Sequence, residues 1–424
     1  MAFSRIKSRF LLISLEKAPK SRVKAKIEWK IEYLVSLDER VERGAADILS
    51  LIAQYFDAIE GSRNSINLGI GEPDHDLFDM LKEEAVRRIM SGYNKYTQTA
   101  GIPDLREEVA KYYQRRWKCE ITSKNVIITP GASNALFMSI ASVLRSGGEV
   151  VIPTPTFPSF SALTLILGGR VYEVPTRMEE GFKPRAETLA SKISEKTCAV
   201  IINSPSNPTG SIYDEDLIGA LVDECKRRGV YIISDEVYER FDYTGRYTSL
   251  AKFWDSYDRI IIVNSFSKTL AMTGWRLGYM IIPEHLYSRV MRLQTFINAC
   301  PPSVAQYVAL FALRSPEVER LIDAKVAEYR DRRDGMWREL SEAGVQVLLP
   351  EGGIFLFPKI PLEMDSEAFC NKLAKSKGVI TIPGRAFGAG GERHFRITIS
   401  APINTLTEAA RLIASFIEEC RASK

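Results

Sequence analysis

The 424-residue chain is poor in the residues that build metal and disulfide sites. It has three histidines and six cysteines, and Cys119, Cys198, Cys225, Cys300, Cys370 and Cys420 stand singly with no Cys-x-x-Cys pair. That pattern argues against a zinc module and suits a reducing compartment, so no metal is expected. No apolar run approaches the roughly 20 residues that span a bilayer, which excludes a helical membrane protein. The net charge of +4 is unevenly spread, because residues 1–30 hold nine Lys/Arg against Glu16 and Glu28 and leave the other 394 residues slightly acidic. A body without a basic face is not built to hold nucleic acid.

The chain has ample material for a core: 45% of its residues are apolar and 10% aromatic, over a length that suggests two or three domains. The basic segment 1–35 is expected to be disordered or a non-native extension, with a native start near Val35. Its Ser-containing, acid-poor character also has the look of a mitochondrial transit peptide, the lesser alternative to a cytoplasmic protein. A helix-periodic stretch follows at 45–60 (Ile48, Leu51, Ile52, Tyr55, Phe56 and Ile59), and then a glycine-containing loop, Asn67-Leu68-Gly69-Ile70-Gly71-Glu72-Pro73-Asp74.

From there strand and helix alternate. Continuous or β-branched apolar runs predict strands at Val126–Thr129, Glu149–Ile152, Arg170–Val174, Ala199–Ile202, Val230–Ser234, Arg259–Val263 and Leu277–Ile282, most separated by helical patterns. This is an α/β chain with a mainly parallel sheet covered on both faces. The C-terminal third predicts a long charged helix over 316–344. Strands should follow near Val345–Leu349, Gly353–Pro358, Val379–Pro383 and Phe395–Ile399, forming a smaller α+β unit.

Ligands of such sheets lie beyond the carboxyl ends of the strands. There the chain places Ala132 and Ser133 at a helix N-terminus, Phe157 at the end of Pro-Thr-Pro-Thr-Phe, Asn207 in the proline-stiffened turn that holds Asn-Pro-Thr-Gly, and Asp235 and Tyr238 in Asp-Glu-Val-Tyr. Last comes Asn264-Ser265-Phe266-Ser267-Lys268, with Arg276 eight residues further on. Each has an ordinary alternative: Phe157 as core, Asn207 as a turn former, Asp235 as a helix cap, Lys268 as a solvated loop cation. Together they read as an anion socket of hydroxyls, guanidinium and helix N–H groups beside a nucleophilic amine.

These motifs resemble the class I/II aminotransferases, pyridoxal-phosphate enzymes of the aspartate aminotransferase fold (fold type I). The most specific are Ser-Phe-Ser-Lys…Thr-Gly-Trp-Arg-Leu-Gly, Asn-Pro-Thr-Gly and Ser-Asp-Glu-Val-Tyr. The Asn-Leu-Gly-Ile-Gly-Glu-Pro-Asp loop is similar to that of archaeal and bacterial aspartate and aromatic enzymes. The resemblance runs from about Ser36 to the C-terminus. It implies an arm and part of the small domain over 36–75, a large cofactor-binding domain over 76–312 with a seven-stranded sheet, and the C-terminal small domain over 313–424.

By this resemblance Lys268 carries the cofactor as a Schiff base and later acts as general base, while Asp235 keeps the pyridine nitrogen protonated. Asn207 and Tyr238 match donors to the phenolic oxygen, and Phe157 matches the ring stacked on the cofactor. Ala132, Ser133, Ser265, Ser267 and Arg276 match the phosphate cradle. Tyr96 matches a tyrosine that reaches the phosphate of a neighbouring subunit, which implies a homodimer with shared sites. Arg396, with Gly71 and Asn207, matches the grip on the substrate α-carboxylate.

The implied reaction is ping-pong transfer of an amino group from an L-amino acid to a 2-oxo acid, by default 2-oxoglutarate. The chain departs from the family pattern at His75-Asp76-Leu77-Phe78 and at Asn298-Ala299-Cys300-Pro301. Aspartate, aromatic, alanine or broad donor specificity therefore stays open, as does a pyridoxal-phosphate lyase or decarboxylase of the same fold. A cofactor-binding transcription regulator is disfavoured, because 35 residues ahead of the domain are too few for a DNA-binding module.

Overall fold

The computed structural model describes residues 65–422. The basic extension, the first part of the arm and the helix expected at 45–60 lie outside the described residues.

Strand β1 (Ile66–Asn67) is followed by β2 (Val126–Thr129), β3 (Glu149–Thr154), β4 (Arg170–Pro175), β5 (Thr197–Asn203), β6 (Tyr231–Asp235), β7 (Ile260–Ser265) and β8 (Gly278–Ile281). Strands β2 to β8 form one seven-stranded sheet in the order β2-β8-β7-β6-β5-β3-β4. Its neighbours pair in parallel except the two pairs made by β8. The mainly parallel sheet expected from the alternating pattern is therefore present, its strands displaced by a few residues at most.

Successive residues of a strand point to opposite faces, and here both faces are apolar. Ile128, Val151, Val200, Ile202, Ile232, Ile260 and Ile262 belong to one buried core, whereas Ile127, Val150, Ile152, Ile201, Ile233, Ile261 and Val263 belong to another. This double burial is why the strands read as unbroken runs rather than alternations. The exception is β4, an edge strand whose residues are mostly exposed.

The remaining strands are short: β9 (Phe355–Leu356), β10 (Val379–Ile380), β11 (Ile382–Pro383) and β12 (Phe395–Thr398). They make a three-stranded antiparallel sheet, β11-β12-β9, and a parallel pair of β1 with β10. Helices Pro316–Glu342, Ser366–Lys377 and Ile403–Ala422 pack a third core against them, with Phe369, Phe395, Ile397 and Ile413 buried in it. The strand expected at Val345–Leu349 is not formed. Its carbonyls are satisfied one at a time instead: Trp337 Nε1 donates to Val347 O at 3.1 Å and Lys359 N donates to Gln346 O at 2.8 Å. Leu348 and Leu349 are exposed, so the apolar run there marks no buried strand.

The reversed strand β8 shapes the carboxyl edge of the sheet. Because it runs against β7, the residues just before it lie at the edge where β7 ends. Gly278 pairs with Thr129 on one side and Ser265 on the other. A Cβ there would lie 2.8 Å from Ala132 N, Asn264 O and Gly131 C, all backbone atoms that cannot swing away. Gly278→Ala should destabilise the protein by about 1–3 kcal/mol, read as a lowered urea midpoint at unchanged slope; an unaltered midpoint would show that the three segments are not packed this tightly.

Candidate active site

At the carboxyl edge of the sheet, the strand ends and the short strands β9 to β12 enclose a cavity of about 370 Å³. Lys268, Asp235, Tyr238, Asn207, Phe157, Ala132, Ser133, Ser265, Ser267, Arg276, Gly71 and Arg396 all line it. Of the residues singled out from sequence, only Tyr96 lies elsewhere: it is 88% exposed on the outer surface. Residues that sequence reasoning missed come from the opposite wall, chiefly Asn67, Phe355, Ile380, Ile382 and Phe387.

Lys268 is delivered by β7. Asn264 Oδ1 accepts from Ser265 N at 2.7 Å, and Ser265 Oγ accepts from Ser267 N at 3.0 Å, capping the one-turn helix Phe266–Thr269. Lys268 Nζ donates to Gly71 O at 2.6 Å. Burial lowers the amine to about 8, with Arg396 and Arg276 pushing the same way and Glu72 and Asp235 opposing. An amine near 8 is a far better nucleophile at neutral pH than an ordinary lysine.

Arg276 lies in the turn just before β8, with its own φ at 53°. Its Nη1 donates to Thr273 O at 2.8 Å, and its Nη2 is so near Gly131 that a Cβ there would lie 2.6 Å from it. Gly131, at φ 81°, is the N-cap of helix Ala132–Val143. A guanidinium, two hydroxyls and the free N–H groups of a helix start thus face one corner, an arrangement made for an anion. The functional need for Gly131 was present in the sequence only as a turn signal.

Asp235 ends β6, is buried, accepts from Val237 N at 3.2 Å and forms no ion pair among the described residues. Burial raises its carboxyl to about 7, against the opposing pull of that hydrogen bond and of Lys268. Tyr238, also buried, has its phenol raised by desolvation.

Arg396 reaches the cavity from β12. Nη1 donates to Asn207 Oδ1 at 2.9 Å and Nη2 donates to Gly69 O. The guanidinium is flanked by the rings of Phe355 at 4.4 Å and Phe387 at 5.0 Å. Its Nε is buried without a partner, and desolvation lowers the group to about 10. A buried cation with no carboxylate of its own among the described residues is chemically suited to receive one. Gly71 lies against the same ring: a Cβ there would be 2.6 Å from Phe355 Cζ.

The chain matches the family model for aminotransferase class I and II over residues 63–413. It is 35% identical over 373 residues to an aspartate aminotransferase of Pyrococcus abyssi, covering 87% of this chain and 96% of that one. Identity and coverage are the same with aromatic-amino-acid aminotransferase 2 of Thermococcus litoralis. The crystal structure of aspartate aminotransferase from Thermotoga maritima superposes with a TM-score of 0.83 at 36% identity, covering 89% of this chain and 99% of that one. The chain belongs to the class I and II aminotransferases and has their aspartate aminotransferase fold. It is a pyridoxal-phosphate-dependent enzyme of transamination, and the lyase alternative is not favoured.

The residues present fit that cofactor. The anion corner around Gly131 suits a phosphate, the unpaired buried Asp235 suits a protonated ring nitrogen, and the depressed Lys268 amine suits an aldehyde. Asp235 also imposes a stability cost in the cofactor-free protein. Unfolded, it ionises near its ordinary 3.8; folded, only near 7. The folded state therefore loses stability as pH rises from about 4 through 7, and the loss persists above. Asp235→Asn should stabilise the cofactor-free protein by on the order of 2 kcal/mol at pH 8, the gain shrinking as pH falls toward 4.5. Urea denaturation at both pH values measures this, and a pH-independent difference would contradict it.

Proposed function

We propose that the protein transfers the amino group of an aromatic or other large apolar L-amino acid to 2-oxoglutarate, by a ping-pong sequence in which one substrate leaves as a 2-oxo acid before the next enters. The observation that carries the donor class is the cavity wall. Its cationic side chains are Lys268, Arg276 and Arg396, each with another task in this reading, and around Arg396 the surface is Ile70, Ile380, Ile382, Phe355 and Phe387. No further lining cation among the described residues is available for the second carboxylate of aspartate.

In this reading Ala132 and Ser133 through backbone N–H groups, with Ser265, Ser267 and Arg276, hold the cofactor phosphate. Asp235 holds a proton on the ring nitrogen, Asn207 and Tyr238 hydrogen-bond the phenolic oxygen, and Phe157 stacks on the ring. Pyridoxal phosphate, when bound, supplies an aldehyde that captures an amine and a ring that accepts the electron pair left at Cα. Arg396 grips the substrate α-carboxylate by a bidentate pair, helped by Asn207 and the Gly71 backbone, and so fixes which Cα substituent faces Lys268. With the cofactor bound, Lys268 Nζ would be the base that takes the Cα proton and the acid that gives it back. Phe355 and Phe387 keep water from the guanidinium.

We further propose a cytoplasmic homodimer. Among the described residues no helix is long and apolar enough to cross a membrane. Tyr96 is exposed, as are the large apolar side chains of Met90, at 81%, and Phe296, at 88%, and a partner would cover such a face. The loop bearing Tyr96 is held from behind by Gln294 and Gln306, which donate to Thr99 O and Thr97 Oγ1, so the tyrosine is presented outward. A second copy covering this face would let Tyr96 reach that subunit's phosphate corner. The division into a cofactor-binding part over 76–312 and a smaller part over 313–424 belongs to the same reading, supported by the separate cores on either side of the cavity.

Three measurements test this. Each amino acid in turn is added to the holoenzyme, and loss of the visible band of lysine-bound cofactor is followed; phenylalanine or tyrosine should act at least tenfold more efficiently than aspartate, and the reverse order would refute the donor class. Lys268→Ala should bind pyridoxal phosphate without that band and lose at least a thousandfold in turnover. In the unmodified protein, the rate of cofactor capture should rise about tenfold per pH unit up to about 8 and then level, since only the neutral amine attacks. A rate still climbing at pH 10 would mean an ordinary lysine.

A further inference from the structure

A cavity shaped for an apolar donor must also accept a five-carbon dicarboxylate in the return half of the reaction. Beyond Lys268, Arg276 and Arg396, its wall offers no cation for the distal carboxylate among the described residues.

Among the described residues, the polar residue that lines that wall besides Arg396 is Asn67 of β1. In the register, Asn67 lies opposite Ile380 across the β1–β10 pair, and Arg396 lies opposite Ile382 across β11–β12. The two polar groups therefore flank the same pair of isoleucines. Both are oriented by one residue: Gly69 N donates to Asn67 Oδ1 at 2.9 Å, while Gly69 O accepts from Arg396 Nη2. An N–H can donate only to the oxygen of a carboxamide, so the amide orientation is decided. Its Nδ2, with two N–H groups, has no hydrogen-bond partner among the described residues.

We infer that Asn67 is the specificity residue for the distal end of the substrate. With the α-carboxylate on Arg396, Asn67 Nδ2 donates to the distal carboxylate of the dicarboxylic substrate. An uncharged amide is cheaper to desolvate than a guanidinium or ammonium, so the same wall accepts an aromatic side chain when the distal carboxylate is absent. One neutral donor among isoleucines thereby serves both halves of the reaction. This role for Asn67 rests on the proposed transamination of an apolar donor with 2-oxoglutarate.

The test uses the holoenzyme and two unreactive acids that share one carboxylate, glutarate and 3-phenylpropionate, with dissociation constants measured by calorimetry. Asn67→Leu should shift the ratio of the two constants by about 10–100-fold toward phenylpropionate. Asn67→Asp, nearly isosteric but repelling a carboxylate, should shift it at least as far the same way, and Asn67→Ser guards against misfolding because a short hydroxyl can still accept from Gly69 N. The same shift should appear in kcat/KM for 2-oxoglutarate relative to phenylpyruvate. Equal weakening of both acids, or an unchanged ratio in folded variants, would overturn the role of Asn67 while leaving transamination intact. A parent enzyme that moves no amino group from any amino acid would sink both readings.

Discussion

The guanidinium of Arg396 is the constraint on which the site depends. It is buried, it has no anionic partner among the described residues, and it is held by a carbonyl, a carboxamide and two aromatic faces. Those groups come from four parts of the chain: the loop after β1, the Asn-Pro-Thr-Gly turn after β5, β9, and the turn before β12. Burying a cation this way is costly unless a carboxylate arrives, so the arrangement stores a preference for substrate that the protein does not satisfy internally.

The same imbalance recurs across the cavity. Asp235 is a buried acid that forms no ion pair among the described residues, and Lys268 is an amine whose charge burial disfavours. The corner around Arg276 and Gly131 is rich in donors and short of acceptors. Each of these is a local loss of stability relative to an apolar filling, and each is offset by the two apolar cores packed on the faces of the parallel sheet. Function sits at the strand ends because the strand bodies supply the rigidity and leave the edge to carry the unpaired charge.

Sequence reasoning read this edge well and the facing wall poorly. Lys268, Asp235 and Asn207 end or follow strands with strong β-branched runs, so their location was set once the strands were placed. Phe355, Ile380, Ile382 and Phe387 lie in or beside strands of two residues, or in a short turn, where periodicity has too few positions to register. Asn67 belongs to a two-residue strand whose partner, Ile380, lies more than 300 residues away. The false strand at Val345–Leu349 has the same origin: apolar residues without a neighbouring ladder to receive them.

The sequence by itself determined the fold class, the order of the strands along the chain and the identity of the groups at their ends, because double burial of a parallel sheet writes itself as continuous apolar runs. Only the tertiary structure decided that β8 runs backward, bringing Arg276 beside Lys268, and that a three-stranded sheet from the far end of the chain closes the cavity with Arg396. It also decided which neutral residue stands beside that arginine. Such choices depend on register and on close contacts between distant segments, as at Gly278, and no local pattern carries that information.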